Sequence, residues 1–208
     1  MSDLNDDIEW TEELELYFKQ TGERANGLAW LHKNAESRFS IARNYIEIPV
    51  IVLGVLNGAA SVGSSTLFGD SQYASVGVGI VVLLTAILTT MISYFKWAAR
   101  AEAHRISAIQ FSRLHRFVAV QMGLARDERL TPASFLRQVK DSIDRLDEIS
   151  PILPTSSIAE FRRRFVGAEY ADVAMPAETN GLERIRVFPR GNMTPPPTLD
   201  IPRAISNP

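Results

Sequence analysis

Two uncharged, largely apolar stretches follow one another in the middle of the chain. The first covers residues 48–69 and the second residues 71–95, and Asp70 is the single charged residue between them. An α-helix rises about 1.5 Å per residue, so about 20 residues cross a hydrocarbon core of about 30 Å. Each stretch is therefore long enough to cross a membrane as a helix. The pattern predicts two antiparallel membrane spans, over residues 48–68 and 74–95, joined by a short loop.

A pair of core helices in a soluble protein is the alternative interpretation. Such helices usually keep one polar face, whereas the second stretch is apolar nearly all round, which favours a membrane. The first stretch is less hydrophobic, and we expect it to need its partner in order to insert well. The residues that weaken it are small or polar: Gly54, Asn57, Gly58, Ser61, Gly63, Ser64 and Ser65.

Basic residues flank the two stretches on their outer sides, and the connecting loop contains none. Positive charge is retained on the cytoplasmic side of a membrane, so both termini are expected in the cytoplasm and the loop of residues 69–73 on the other side. The acidic start of the chain lacks a basic region followed by an apolar core, and no cleavable signal is predicted. The basic residues are Lys33, Arg38 and Arg43 before the spans and Lys96, Arg100, Arg105 and Arg113 after them.

Apolar residues at helical spacing continue on both sides of the spans. Residues 10–47 predict one helical segment, either continuous or broken near Gly22, and Pro49 suits the first turn of the first span. One apolar stripe precedes the first span and another follows the second span. The two helices that carry these stripes extend from the membrane side by side and are expected to pair as antiparallel cytoplasmic helices. The first stripe is Ala25, Leu28, His32, Ala35, Phe39, Ala42 and Ile46; the second is Trp97, Ala101, His104, Ala108, Phe111, His115, Val118 and Met122.

The remainder of the chain predicts two shorter helices and a tail. Thr131 suits an N-cap and Pro132 a first helical residue, and Thr155 or Ser156 can cap a second helix after the extended break at residues 150–154. From Gly167 onward periodicity is lost and prolines are frequent, which predicts a disordered or extended tail. An all-α membrane protein follows, divided into residues 1–47, 48–95, 96–166 and 167–208.

Motifs of common enzymes are absent from this sequence. It contains no Gly-rich phosphate loop, no His-Glu-x-x-His, no serine elbow and no cysteine. The predicted spans contain no acid or base for a proton relay. A net charge of −2 gives no reason to expect nucleic acid as a partner. We therefore expect no enzyme activity, cofactor or metal, and a protein whose first partner is the lipid bilayer.

Small and polar residues within the spans are the candidates for helix packing or for lining a pore. Gly54 and Gly58 form a Gly-x-x-x-Gly pair that Ser61 extends, and small faces let helices approach closely in lipid. This packing can be within one hairpin or between hairpins of a homo-oligomer. In the second case Asn57, Ser61, Thr85 and Thr89 are expected to face a shared polar lumen, since an Asn amide in hydrocarbon needs a partner.

The candidate contacts between the cytoplasmic helices are Trp30, His32, His104, Phe111 and His115. Counting from the ends of the spans places His32 and His115 at similar heights, which allows a metal site or pH switch. No carboxylate or cysteine set completes a metal site, so hydrogen-bonded structural histidines are the main prediction. Arg162, Arg163 and Arg164 form a basic cluster that suits either anionic headgroups or solvent.

Several short motifs resemble the SLATT superfamily, the SMODS- and SLOG-associating two-transmembrane effector domains. The resemblance covers about residues 10–166. It rests on the layout of two spans between long helices and on these motifs: Glu23-Arg24-Ala25, Trp30-Leu31-His32, Asn44, Ile48-Pro49-Val50-Ile51, Ala101-Glu102-Ala103-His104-Arg105, Phe111, Leu114, Phe135-Leu136 and Ser150-Pro151.

That resemblance implies an oligomeric effector of a prokaryotic conflict system that forms a pore or otherwise perturbs the membrane. It implies control by a nucleotide signal that a partner protein makes or senses, because this chain has no sensor domain of its own. The tail after Gly167 lies outside the resemblance and is a candidate for binding a partner. The alternative function is a membrane anchor or scaffold that conducts nothing, for example in a virion or a coat.

Overall fold

The computed structural model describes residues 8–67, 72–165, 167–181 and 185, without the side chains of 62–67, 72, 74 and 75. These residues are helical and contain no strand, which confirms the all-α prediction. The helices are α1 (Glu12–Leu67), α2 (Gln72–Phe95), α3 (Trp97–Gly123), α4 (Pro132–Ile149), α5 (Thr155–Arg164) and α6 (Ala177–Asn180), with a 3₁₀ turn at Ala168–Tyr170 between the last two.

Helix α1 is one continuous element of 56 residues, about 84 Å long. Of the two alternatives for Gly22, the continuous helix is therefore the one observed, and the expected helix start at Pro49 is wrong. A Cβ at Gly22 would lie 3.0 Å from Val118 Cγ1, so the glycine allows close approach of α3 rather than interrupting α1. Pro49 lies inside the helix, where it removes one backbone hydrogen bond.

Helices α1 and α3 pack against each other in antiparallel order, as the two apolar stripes predict. Contacts from one end of the pair to the other join Glu15 to Arg126, Gly22 to His115 and His32 to His104. The expectation that His32 and His115 share one height is thus wrong. The pairing register follows the turn between α1 and α2, whereas the sequence count started from the ends of the apolar stretches.

Helix α4 closes the end of this pair that is remote from the apolar stretches. Phe135 is fully buried, with its ring 4.4 Å from that of Phe18 on α1 and 5.3 Å from that of Phe117 on α3. Pro132 begins α4 and Thr131 is its N-cap, as predicted, although the Thr131 side chain makes no capping hydrogen bond. The result is a continuous apolar core contributed by α1, α3 and α4.

The first part of the predicted tail is packed against the protein, which corrects the expectation of disorder from Gly167 onward. Pro176 is buried in contact with α1 and α5, and Thr179 is buried beside it. We call residues 168–181 the strap. Helix α5 begins one residue earlier than expected, with Pro154 rather than Thr155 or Ser156 as its N-cap. The prolines from Pro189 to Pro208 lie outside the described residues.

Helix α2 packs beside the apolar half of α1. It is separated from α3 by Lys96 alone, which adopts a left-handed backbone with φ 49° and is the only non-glycine residue with positive φ in the described chain. The amide of Lys96 still bonds to Ile92 and its carbonyl to Arg100. The two helices are therefore nearly continuous, with one strained residue where the apolar stretch ends.

Candidate functional site

Two helices of this protein, α1 and the one formed by α2 and α3, are long and apolar enough to cross a membrane. The most apolar part of each contains no buried residue. Exposed apolar surface of this extent marks a region that another apolar phase or partner covers. The exposed side chains are Ile48, Ile51, Val52, Val55 and Leu56 on α1, and Val76, Ile80, Val82, Leu83, Leu84, Ile87 and Met91 on α2.

The small residues of the apolar hairpin lie on its outer surface. A Cβ built on Gly54 or Gly58 meets no atom of the described chain within 4 Å, and the same is true of Gly79 on α2. Ser61 is also exposed. The Gly-x-x-x-Gly pair therefore does not bring α1 and α2 together, and its flat face is open to a neighbouring molecule.

The four polar candidates for a shared lumen are divided between two surfaces. Asn57 and Thr85 are half-buried on the facing sides of α1 and α2, whereas Ser61 and Thr89 are exposed. The hydroxyls of Thr85 and Thr89 donate to the backbone carbonyls of Val81 and Thr85, at 2.8 Å each. Within the described part of the chain the Asn57 amide makes no hydrogen bond, so it is the polar group here that still needs a partner.

A pair of buried imidazoles lies at the centre of the α1–α3 contact. His32 and His104 are each 2% exposed, and their Nδ1 atoms are 2.9 Å apart. One Nδ1–H must donate to the lone pair of the other ring. His32 stacks on Phe111 with ring centroids 5.5 Å apart, and His104 stacks on Phe39 at 5.4 Å. The two stacked pairs meet at the imidazoles, whose ring planes are tilted by 40° with centroids 5.1 Å apart.

Burial lowers the pKa of both imidazoles in this stack. The pKa of His32 falls from 6.5 to about 4, first because the charged form is desolvated and second because His104 lies beside it. Desolvation also lowers the pKa of His104. Both rings are therefore neutral at pH 7. The Nδ1 that accepts the shared hydrogen bond must carry no proton, because a proton added there would set two N–H groups against each other.

The other residues predicted as contacts between these helices, His115 and Trp30, also lie in helix contacts. His115 Nδ1 donates to the carbonyl of Gly22 at 2.9 Å. Trp30 packs edge-on against Phe161 of α5 and against Phe165, which follows that helix. The arginine cluster of α5 is occupied by contacts within the chain. Arg162 donates to the carbonyl of Thr179, Arg163 pairs with Glu160, and Arg164 lies over the Trp30 ring.

A charged cluster, which the sequence pattern does not indicate, joins α1 to the end of α3 that is remote from the apolar stretches. The Glu15 carboxylate accepts from Arg126 at 2.8 and 3.0 Å and from Arg129 at 2.6 Å. The hydrogen bonds from Arg126 and then Arg129 lower the pKa of Glu15 to about 2. Arg129 also donates to the carbonyls of Met122 and Leu124 at the end of α3. No motif brings these residues together; only the helix register does.

Comparison with protein-family models, curated proteins and solved structures finds no match for this chain. The site must therefore be interpreted from its own geometry. Among the described residues, no three side chains of His, Cys, Asp or Glu come together as metal ligands. The geometry provides an apolar hairpin with an open small-residue face. Helix α1 joins this hairpin to a helical region that holds a buried imidazole pair and a packed strap.

Proposed function

We propose that the protein is a two-span membrane effector that assembles into oligomers and breaches the bilayer. The apolar halves of α1 and α2 cross the membrane as a hairpin, and both chain ends lie in the cytoplasm. The observation that carries this proposal is the open face at Gly54 and Gly58 on a hairpin whose apolar side chains are exposed. Lipid covers such side chains, and a small-residue face packs against the next hairpin.

The resemblance to the SLATT superfamily over residues 10–166 supports the same function. It adds control by a nucleotide-signalling partner protein acting on the cytoplasmic helices. The half-buried Asn57 supports assembly as well, because its amide makes no hydrogen bond to the described residues and another copy or pore water would supply a partner. The second candidate function is a non-conducting membrane anchor. The exposed apolar surface is by itself sufficient support for an anchor, since contact with lipid requires no pore.

Release of dye from liposomes that contain the purified full-length protein tests the proposal. The wild type is expected to release dye above protein-free liposomes, and Gly58→Leu to abolish release by filling the open face. Val55→Leu is the matched control, because it also adds bulk to an exposed apolar position of the same helix. Asn57→Leu is expected to leave assembly intact and to remove flux.

Equal flux from Gly58→Leu and Val55→Leu would contradict assembly through the glycine face. Absence of flux from the wild type and also from a chain shortened after Arg126 would exclude a pore and leave the anchor. Chemical cross-linking of the same samples measures assembly separately from flux. A pore requires that both signals fall together in Gly58→Leu.

A further inference from the structure

The strap is attached to the protein at a small number of points. Pro176 fills a notch on α1, where a Cβ on Gly27 would lie 2.6 Å from Pro176 Cγ and 2.7 Å from its Cδ. The backbone amide of Ala174 donates to the Glu23 carboxylate at 2.9 Å. Arg162 of α5 donates to the carbonyl of Thr179 at 2.7 Å. Only a residue without a side chain leaves room for this proline.

Next to Pro176, a gap lies between the strap and α1. A cavity of about 400 Å³ separates the two, lined on one side by Lys19 and Glu23 and on the other by Ala171 to Ala174. Ala171, Asp172 and Val173 are exposed, so the buried attachment of the strap is confined to Pro176 and Thr179. Segments with few buried contacts open at low free-energy cost compared with a packed core.

The notch is connected to the apolar hairpin through one helix. Gly27 and Gly58 both lie on α1, 31 residues or about 46 Å apart, with Pro49 between them. A shift of α1 at Gly27 can therefore reach Gly58 and Asn57 along the helix. Helix α5 is held on the same part of α1 by Trp30 and Phe161, and Phe165, which follows α5, contacts Tyr170 of the strap.

We propose that the strap is an autoinhibitory clamp: seated on Gly27, it holds α1 in the position that keeps the hairpins closed, and its release opens them. This inference rests on the proposed function, because the regulated event is dye release by the assembled hairpins. The clamp is local and reversible, since its removal leaves the core formed by α1, α3 and α4 untouched.

A removable covalent lock tests the clamp directly. The chain has no native cysteine, so Gly27→Cys with Pro176→Cys introduces a single pair. Because Pro176 Cβ is bonded to the Cγ that approaches position 27, the two Cβ atoms lie at most about 4 Å apart, which suits a disulfide. The oxidised double variant is expected to release dye no faster than protein-free liposomes. After reduction, without the proline plug, release is expected to exceed that of the wild type about tenfold.

Each single cysteine variant serves as a control and is expected to show no difference between oxidised and reduced samples. Glu23→Ala is a milder second variant, which removes the acceptor of the Ala174 amide together with the ion pair to Lys19, and it is expected to raise release several-fold. Hydrogen exchange of residues 168–181 then reports strap release without reference to flux, and must rise in Glu23→Ala while α3 stays protected.

The outcomes separate the two proposals. Flux that is equal in oxidised and reduced double variant overturns the clamp alone and leaves the proposed function standing. Absence of flux from every variant in both states overturns the proposed function, and the clamp with it. Unchanged hydrogen exchange in Glu23→Ala together with unchanged flux also overturns the clamp.

Discussion

Acidification is expected to loosen the contact between α1 and α3 through the buried imidazole pair. Folding holds the pKa of His32 at about 4, below its usual value of 6.5, because the site excludes the charged form. A base whose pKa is lower in the folded state stabilises the fold fully above pH 6.5. That contribution is lost as pH falls from 6.5 towards 4, and His104 adds to the loss in the same direction.

The size of the effect follows from the pKa of His32. One pKa unit corresponds to about 1.4 kcal/mol, so a fall from 6.5 to about 4 amounts to about 3 kcal/mol once the pH is below both values. At pH 4.5 about 2.5 kcal/mol of that is already lost. Whole domains are stable by only about 5–15 kcal/mol, so the change is large enough to measure.

Denaturant unfolding of the full-length protein in detergent micelles, followed by tryptophan fluorescence, measures this loss. Trp10 and Trp30 pack into the helical region and report its opening. The matched variant is His32→Leu with His104→Leu, which replaces both hydrogen-bonding partners by apolar groups and keeps the contact filled. Between pH 7.5 and 4.5 the wild type is expected to lose about 2.5 kcal/mol more than this variant.

The carboxylates titrate equally in the wild type and in the double variant. The difference between the two losses of stability therefore comes from the imidazoles. An equal loss of stability in wild type and double variant would refute the assignment. A wild type that gains stability on acidification relative to the variant would also refute the predicted direction of the pH dependence.

Two further substitutions test other parts of the structure. Phe135→Ala is expected to lower the free energy of unfolding by about 3–5 kcal/mol, because it empties a fully buried site between α1, α3 and α4, while the exposed Arg137→Ala on the same helix serves as control in the same assay. Lys96→Gly is expected to raise the free energy of unfolding by about 1 kcal/mol by relieving the left-handed backbone, whereas Lys96→Ala keeps its Cβ and is expected to gain nothing; equal values for the two would contradict the strain.

Periodicity alone predicts the elements and faces of this fold that depend on local pattern. The stripe through His32 and Phe39 and the stripe through His104 and Phe111 identify the two faces that meet in the structure. The register in which the two helices pair is not determined by the local sequence pattern. It depends on where the chain turns between α1 and α2, and a count from the apolar boundaries misplaces His32 by about three helical turns, opposite His115 instead of His104.

Contacts that depend on shape rather than pattern are missed by the same reasoning. A helix is expected to weaken at Gly22, yet Val118 packs there and compensates for the lost side chain. Prolines after Gly167 predict an extended segment, yet Pro176 fits the notch at Gly27, a contact that has no periodic signal. The pair Gly54 and Gly58 predicts close packing but not the partner, and only the structure shows that α2 does not fill that face.

Site-directed labelling of the cysteine-free chain tests most directly the claim that α1 and α2 form a membrane hairpin with both ends on the cytoplasmic side. Tyr73→Cys places a thiol at an exposed position at the start of α2, and Glu128→Cys places one beyond α3. In intact bacterial cells a membrane-impermeant maleimide is expected to label position 73 and to label position 128 only after lysis. Labelling of both positions in intact cells, or of neither with the protein in the soluble fraction, would contradict the hairpin.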